Sequence, residues 1–266
     1  MIRKLCFLLL CCCACALANA QPSDMQQYRG VTKGGYNFWV YAPHEYYAET
    51  EPTPLIIFLH GASLRGTDLQ RLRRYGTLDA IDKGREMPAL VVAPQNPSGH
   101  WIPEKVHEVK EWMCQNYEVD TRRIYVLGMS LGGYGTMDYV ATYPDEVAAA
   151  MALCGGCTKR DVSALGEVPL WIIHGTADRA VSVNESKKVV EALKRDGLTD
   201  RLLYDWWAGV SHGALARLFY LNKTYEWLLA HSLDDPDRAV CRDVDINKDD
   251  LKEAYGGLPS SRAKTY

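Results

Sequence analysis

A chain of 266 residues, 47% of them apolar, is long enough to bury one sizeable core. A net charge of −3 and a pI near 6.2 leave no basic surface to attract nucleic acid or an acidic membrane, so neither is expected as a partner. No internal repeat or low-complexity segment interrupts the sequence.

The first 20 residues read as a leader. Met1-Ile2-Arg3-Lys4 is basic, Leu5 to Leu17 is apolar, and Ala18-Asn19-Ala20 offers a small-residue cleavage site ahead of Gln21. That is the pattern of a secretory signal peptide, and the apolar run is short for a stable membrane span. The expectation is a secreted or periplasmic protein. Cys11, Cys12, Cys13 and Cys15 raise lipoprotein anchoring as the lesser competitor. Cleavage leaves Cys114, Cys154, Cys157 and Cys241, whose pairing stays open. Loop cysteines, or a small disulfide closing Cys154-Gly155-Gly156-Cys157, are expected. No second Cys or His pair stands at ligand spacing, so no metal is expected.

In chain order, Gln21 to Gly35 is polar and reads as loose. Tyr36 to Tyr41 alternates and is aromatic-rich, which predicts a strand. Leu55 to Leu59 is a continuous apolar run, a strand covered on both faces. It leads into His60-Gly61-Ala62-Ser63, where Gly61 lets the backbone turn and the Ala62 N–H is a candidate oxyanion donor; His60 itself is expected to be structural. Arg71, Arg73 and Arg74 mark a solvated face. Ala89 to Ala93 is the next strand, and the loop after it borders the ligand crevice of a parallel sheet, which makes Gln95 and Trp101 candidate substrate contacts. Pro103 to Tyr117 predicts a helix with His107 exposed on it.

Arg123 to Leu127 is a buried strand, and Tyr134 to Thr142 is helical in character. Between them stands Gly128-Met129-Ser130-Leu131-Gly132-Gly133. Strand, G-x-S-x-G, helix is the setting of a nucleophile elbow. The sharp turn lifts Ser130 and crowds its neighbours, which is why Gly128 and Gly132 must be small. The Leu131 N–H at the helix start is the second candidate oxyanion donor. Val147 to Leu153, Pro169 to Ile173 and Leu202 to Trp207 are further strands, Ser182 to Gly197 an amphipathic helix, and Leu215 to His231 a final helix. Strands alternating with helices predict an α/β fold, a doubly wound and mostly parallel sheet in a single domain without a long lid. The catalytic domain is expected over 21–232. The tail over 233–266 is expected to be solvated, with one short helix at Lys248 to Tyr255. Asp243, Asp245 and Asn247 start like a calcium loop, but Lys248 stands where Gly is required and no Glu closes it.

A serine hydroxyl needs a histidine to take its proton, and the histidine needs a carboxylate to hold its tautomer. Ser130, Asp178 and His212 follow in the order Ser, acid, His, each in a loop after a predicted strand. Asp205 lies within a strand, Asp161 precedes one, His231 ends the last helix, and His60 and His174 come before the acid. Ser130, Asp178 and His212 are therefore the candidate catalytic residues.

With these motifs the chain resembles α/β-hydrolase esterases of the phospholipase/carboxylesterase and polyhydroxybutyrate-depolymerase/feruloyl-esterase group, which also includes predicted peptidases related to prolyl oligopeptidase. The resemblance rests on Leu59-His60-Gly61-Ala62, Arg65-Gly66-Thr67-Asp68, Val92-Ala93-Pro94-Gln95, the Ser130 elbow, His174-Gly175-Thr176-Ala177-Asp178 with Val181, and Ser211-His212-Gly213. It implies the α/β-hydrolase fold and acyl transfer without metal or cofactor on a small-molecule or polysaccharide-linked ester. Leu64 stands where relatives often carry an acid. A peptidase with the same triad and a silent binding protein on this scaffold are the alternatives, and the oligomeric state stays open.

Overall fold

Eight strands carry the chain: β1 (Asp24–Tyr28), β2 (Asn37–Ala42), β3 (Thr53–Leu59), β4 (Leu90–Gln95), β5 (Val119–Met129), β6 (Ala149–Leu153), β7 (Leu170–Gly175) and β8 (Leu202–Trp207). The computed structural model describes residues 24–47 and 51–258; the expected leader over 1–20 lies outside them. β3, β4, β6 and β7 are buried at every residue. Such strands must be covered on both faces, and their sequences are continuous apolar runs for that reason. The strands form one sheet in the order β1-β2-β4-β3-β5-β6-β7-β8. β2 is antiparallel to both neighbours, and every other pairing is parallel. The loops that follow β3 to β8 therefore meet at one edge of the sheet.

Successive strand residues feed two cores. Leu55, Ile57 and Leu59 pack with Val106, Val109 and Met113 of α2 (Pro103–Asn116), Met137 and Val140 of α3 (Leu131–Val140), and Val189, Val190 and Leu193 of α4 (Val183–Arg195). Ile56 and Phe58 face the other way, against Leu78 and Ile81 of α1 (Thr77–Asp82) and Trp227 and Leu228 of α6 (Asn222–Leu229). This is the doubly wound, mostly parallel architecture that the alternation of strands and helices predicts. α4 begins where Ser182 Oγ accepts the Asn184 N–H at 3.3 Å and ends before Gly197 at φ 73°.

Four segments differ from the sequence reading. The stretch expected to be loose contains β1, which adds an edge strand on β2 through backbone pairing that needs no apolar pattern. The expected helix over 215–231 is broken into α5 (His212–Leu215), a 3₁₀ turn over Ala216–Tyr220, and α6. Leu221 is extended at the break (φ −88°, ψ 133°), and the freed carbonyls find side-chain donors. Thr224 Oγ1 donates to Leu218 at 2.7 Å and Tyr225 Oη to Phe219 at 2.7 Å. His107 is half-buried, stacked on Tyr143 at 4.3 Å and 3.2 Å from Glu146.

The fourth difference is the tail, which is not solvated over its described part. Val240, Ile246, Leu251, Ala254 and Leu258 are buried in the core beside α6. Trp227 Nε1 donates to the Cys241 carbonyl at 3.0 Å, and Lys223 pairs with Asp250 at 3.0 Å. Their irregular spacing gives no helical or strand period, so the sequence reads as polar.

His60, at the end of β3, is fully buried and braces the loop after β4. Nδ1 lies 2.7 Å from the Gly61 carbonyl and Nε2 accepts the Asn96 N–H at 3.0 Å. Burial pushes its imidazolium down to about 4.

Two outcomes follow. Leu251→Ala should lower unfolding free energy by about 2–4 kcal/mol in urea titrations, where a solvated residue would change it by less than about 0.5 kcal/mol. His60 has a folded pKa below its unfolded value, so its contribution is fully present above pH 6.5 and is lost as pH falls through about 4. The loss amounts to roughly 3 kcal/mol. Urea titrations at pH 7 and pH 4.5 should show a smaller drop for His60→Gln than for the unsubstituted protein.

Candidate active site

The elbow is built by close backbone contact. A Cβ on Gly132 would fall 1.8 Å from the Leu59 carbonyl oxygen, and one on Gly128 would fall 2.3 Å from the Gly132 oxygen. With β5 and α3 pressed this closely, Ser130 at the junction takes φ 60° and ψ −121°, a strained conformation for a residue with a side chain. Its N–H donates to the Leu153 carbonyl at 2.8 Å, which ties the turn to β6. Leu131 is the first residue of α3, so its N–H has no partner within the helix. Ala62 stands at the same position in the 3₁₀ turn Ala62–Leu64 after β3, with Gly61 before it. A Cβ on Gly61 would lie 3.6 Å from the Ser130 Cβ, so the two turn starts flank one point.

Asp178 lies in the loop after β7, and His212 opens α5 after β8. His212 Nδ1 and Asp178 Oδ2 are 2.6 Å apart, with the Asp178 side chain fully buried and the His212 side chain 24% exposed. A carboxylate at that distance keeps the proton on Nδ1 and leaves Nε2 as an acceptor toward solvent. Asp178 Oδ1 accepts the N–H groups of Ala180 at 2.8 Å and Val181 at 2.9 Å. Burial pushes the Asp178 carboxyl up, but the Val181 N–H, His212 and the Ala180 N–H together outweigh it and hold the group below the usual carboxylate range.

The cysteine loop supplies a residue that sequence reasoning did not assign to the site. Cys154 sits at φ 39° after β6, fully buried. Its Sγ, an Asp178 carboxylate oxygen and a His212 ring nitrogen lie within 4.8 Å of one another. Burial first, then the Asp178 charge, push its thiol far up, so it stays protonated. Cys157 turns instead to Asp138 at 3.2 Å, and Cys114, Cys154, Cys157 and Cys241 are all free. The small disulfide is therefore not formed, because each thiol of the loop faces a carboxylate. Tyr75 also escapes the motifs. Its hydroxyl is 2.8 Å from where a Gly61 Cβ would be and 3.1 Å from Ser63 Oγ, brought there by the loop between β3 and α1.

Gln95 and Trp101, expected as substrate contacts, are buried supports instead. Gln95 Nε2 donates to the carbonyls of Leu64 at 3.0 Å and Asp68 at 2.8 Å. Trp101 Nε1 donates to the His60 carbonyl at 3.2 Å, and its ring packs edge-on against His60 and Tyr36. Both are only 3% exposed and hold the loop that carries Gly61 and Ala62. Trp101 lies in the loop after β4 as read, whereas Gln95 is the last residue of β4 itself, and both side chains bond the loop that leaves β3.

A cleft of about 540 Å³ opens beside His212, lined by Ala177, Arg179, Ala180, Ser211, His212 and Gly213. A larger hollow of about 750 Å³, lined by His44, Arg85, Met87 and Asn222 among others, lies at the opposite edge of the sheet, away from Ser130. His107, Glu111 and Glu146 also cluster, but the Lys110 ammonium, 2.5 Å from Glu111 and 2.7 Å from Glu146, fills the place of a cation. Among the described residues no helix is long and apolar enough to cross a membrane.

Comparison with known proteins finds esterases and related hydrolases. A bifunctional acetylxylan esterase/xylanase of Neocallimastix patriciarum is 26% identical over 174 residues, covering 60% of this chain and 24% of that protein. Poly(3-hydroxyalkanoate) depolymerase C of Paucimonas lemoignei is 28% identical over 121 residues, covering 39% and 28%. The chain thus spans about a quarter of the length of either relative. A solved thermostable esterase superposes with a TM-score of 0.65 at 24% identity, over 79% of this chain and 63% of that one, which shows the α/β-hydrolase fold. Residues 89–221, from β4 through the elbow, Asp178 and His212, match the Dienelactone hydrolase family. With half of its length matched in this way, the chain belongs to the dienelactone hydrolase family.

Proposed function

We propose that this chain is a serine carboxylic ester hydrolase that works through an acyl-enzyme. The observation that carries the reading is the 2.6 Å bond between Asp178 and His212 at the sheet edge where Ser130 stands at φ 60°. His212 Nε2 takes the Ser130 proton, and Ser130 Oγ attacks the ester carbonyl. The N–H groups of Ala62 and Leu131 receive the oxyanion, since both begin a helical turn and lack a partner within it. His212 then protonates the leaving alcohol, and water repeats the sequence on the acyl-enzyme. Asp178, ionised and shielded from solvent, keeps the imidazole in the productive tautomer. The steps use neither metal nor cofactor.

For substrate we propose small or aromatic acyl esters, including those on polysaccharide, met outside the cytoplasm after removal of the leader over residues 1–20. The curated relatives are named for acetylxylan and for poly(3-hydroxyalkanoate), both ester-bearing polymers. The cleft beside His212 is lined by the small residues Ala177, Ala180, Ser211 and Gly213 together with Arg179, which leaves room for an ester presented on a polymer.

Ser130→Ala should fold as the unsubstituted protein does and lose about a million-fold in kcat. Asp178→Asn should lose about 10⁴-fold, because the amide favours the wrong imidazole tautomer. Both are read with p-nitrophenyl esters of increasing chain length, methyl ferulate, acetylated xylan and a chromogenic peptide amide, on protein from Gln21 onward. Ester turnover that survives in Ser130→Ala refutes the nucleophile. Amide cleavage as efficient as ester cleavage replaces the esterase with a peptidase using the same residues.

A further inference from the structure

Cys154 and Tyr75 stand close to Ser130 and have no part in the steps above. The Cys154 thiol is fully buried beside Asp178. Tyr75 is half-buried, with its ring packed against the core that holds Phe58 and Leu153 and its hydroxyl at the turn that leaves β3. The backbone around it has little freedom. The 3₁₀ turn Leu69–Arg73 ends just before Tyr75, and α1 starts at Thr77. Gly76 between them has φ 93°, and a Cβ there would fall 2.3 Å from the Phe58 ring. Only glycine fits that position, so the chain is pressed onto the end of β3 and the Tyr75 ring is carried toward Gly61. The point where a Gly61 Cβ would stand is 2.8 Å from Tyr75 Oη and 3.6 Å from Ser130 Cβ. The phenol and the serine therefore lie on the same side of Gly61, next to the Ala62 N–H.

A hydroxyl that only braced this turn would serve its carbonyls, and each of these already has a donor. The Gly61 carbonyl has the Leu64 N–H at 3.1 Å and His60 Nδ1 at 2.7 Å, the Ala62 carbonyl has the Arg65 N–H at 3.2 Å, and the Ser63 carbonyl has Arg71 Nη2 at 2.7 Å. Tyr75 Oη instead meets Ser63 Oγ at 3.1 Å, and either hydroxyl can donate to the other. Ser63 is exposed, so water can serve it in both arrangements. When Ser63 donates, the phenol proton is left for an acceptor that arrives in the site. Burial pushes the phenol up, against the downward pull of the Ser63 hydroxyl and the Gly61 backbone, so it keeps its proton.

We infer that Tyr75 is a further catalytic residue, a phenolic donor that joins the N–H groups of Ala62 and Leu131 in receiving the oxyanion. The inference rests on the proposed acyl transfer at Ser130. The proton stays on the phenol throughout, and His212 remains the base. A substrate carbonyl is a neutral acceptor that competes poorly with Ser63, whereas the oxygen that gains charge draws the phenol proton to itself. The bond strengthens only as the charge develops, so it acts on kcat rather than on KM. The packed ring holds the donor in place beforehand.

Tyr75→Phe removes one oxygen and keeps the ring. With p-nitrophenyl acetate its kcat should fall about 10²-fold while KM stays as it is. An aryl trifluoromethyl ketone carrying ¹³C at its carbonyl supplies the second readout. Ser130 Oγ adds to it and gives a hemiketal whose oxygen takes the place of the oxyanion, and ¹³C NMR reads the pH at which that oxygen ionises. Loss of a donor leaves the anion less stabilised, so in Tyr75→Phe the ionisation should move to higher pH by about one to two units. 3-Fluorotyrosine at position 75, a stronger donor of nearly the same shape, should move it to lower pH, and this arm stands should Tyr75→Phe fail to fold. Ser63→Ala should not raise it. A hemiketal on Ser130 that ionises at the same pH with and without the phenol overturns the inference and leaves Ser130 as the nucleophile. A rise in Ser63→Ala in place of Tyr75→Phe gives the role to Ser63 and overturns it as well. A ketone that forms no adduct with Ser130 refutes the triad, and this inference falls with it.

Discussion

The approach of α3 to the end of β3 is the constraint on which the site depends. Helix and strand meet where a Cβ on residue 132 would overlap the Leu59 carbonyl, so the helix can begin there only with glycine. That approach tightens the turn at Ser130 into positive φ, and it sets the turn that leaves β3 beside the same serine. The strain of such a conformation is about 1–3 kcal/mol. It is offset by the packing of α3, which is buried at every residue but Tyr134. The placement of the proposed nucleophile and of the two proposed backbone donors thus comes from one steric contact.

Around this point the buried polar groups are arranged differently on the two sides of Ser130. On the β3 side the fully buried supports are neutral, with the Arg65 and Arg71 guanidinium groups bonding backbone carbonyls outside them. His60, Gln95 and Trp101 clamp the loop over residues 60–69 through backbone carbonyls and one backbone N–H. On the β7 side the charge is concentrated, with Asp178 shielded from solvent and contacted by two imidazoles and two backbone N–H groups. A buried anion stands against His212 on the opposite side.

Much of this was legible in the residues. The central strands are apolar runs, the elbow has its glycines at forced positions, and the order of Ser130, Asp178 and His212 was readable because each follows a strand. What was not legible depends on direction and distance. Gln95 ends β4 and Trp101 stands in the loop after it, but nothing in a sequence says that both side chains turn toward the loop leaving β3. Cys154 and Tyr75 reach the site from loops whose course has no periodic signal. His174 was set aside as a base because it precedes the acid. That reasoning says nothing of a second ring on the same carboxylate, a contact that exists only because residues 174 and 178 close a turn on each other. β1 and the residues of the tail lack a pattern for another reason. Each packs through a few widely spaced side chains or through backbone alone.

The tail bears on the site more directly than its composition suggests. His212 opens α5, a helix of four residues, and a single turn has too few hydrogen bonds to hold its own geometry. Its position comes from what is packed behind it. Leu215, Leu218 and Phe219 are buried in the same core as Ile246, Leu251 and Leu258, and Arg217 donates to the Leu251 carbonyl at 3.1 Å. The residues that follow His212 are therefore fastened to the last part of the chain. The Asp178 side of the pair is fixed by β7 and the Val181 turn, while the His212 side depends on this late contact. A histidine that stays within hydrogen-bonding distance of a buried acid needs both supports, and in the proposed mechanism that need gives the C-terminal segment a place behind the base.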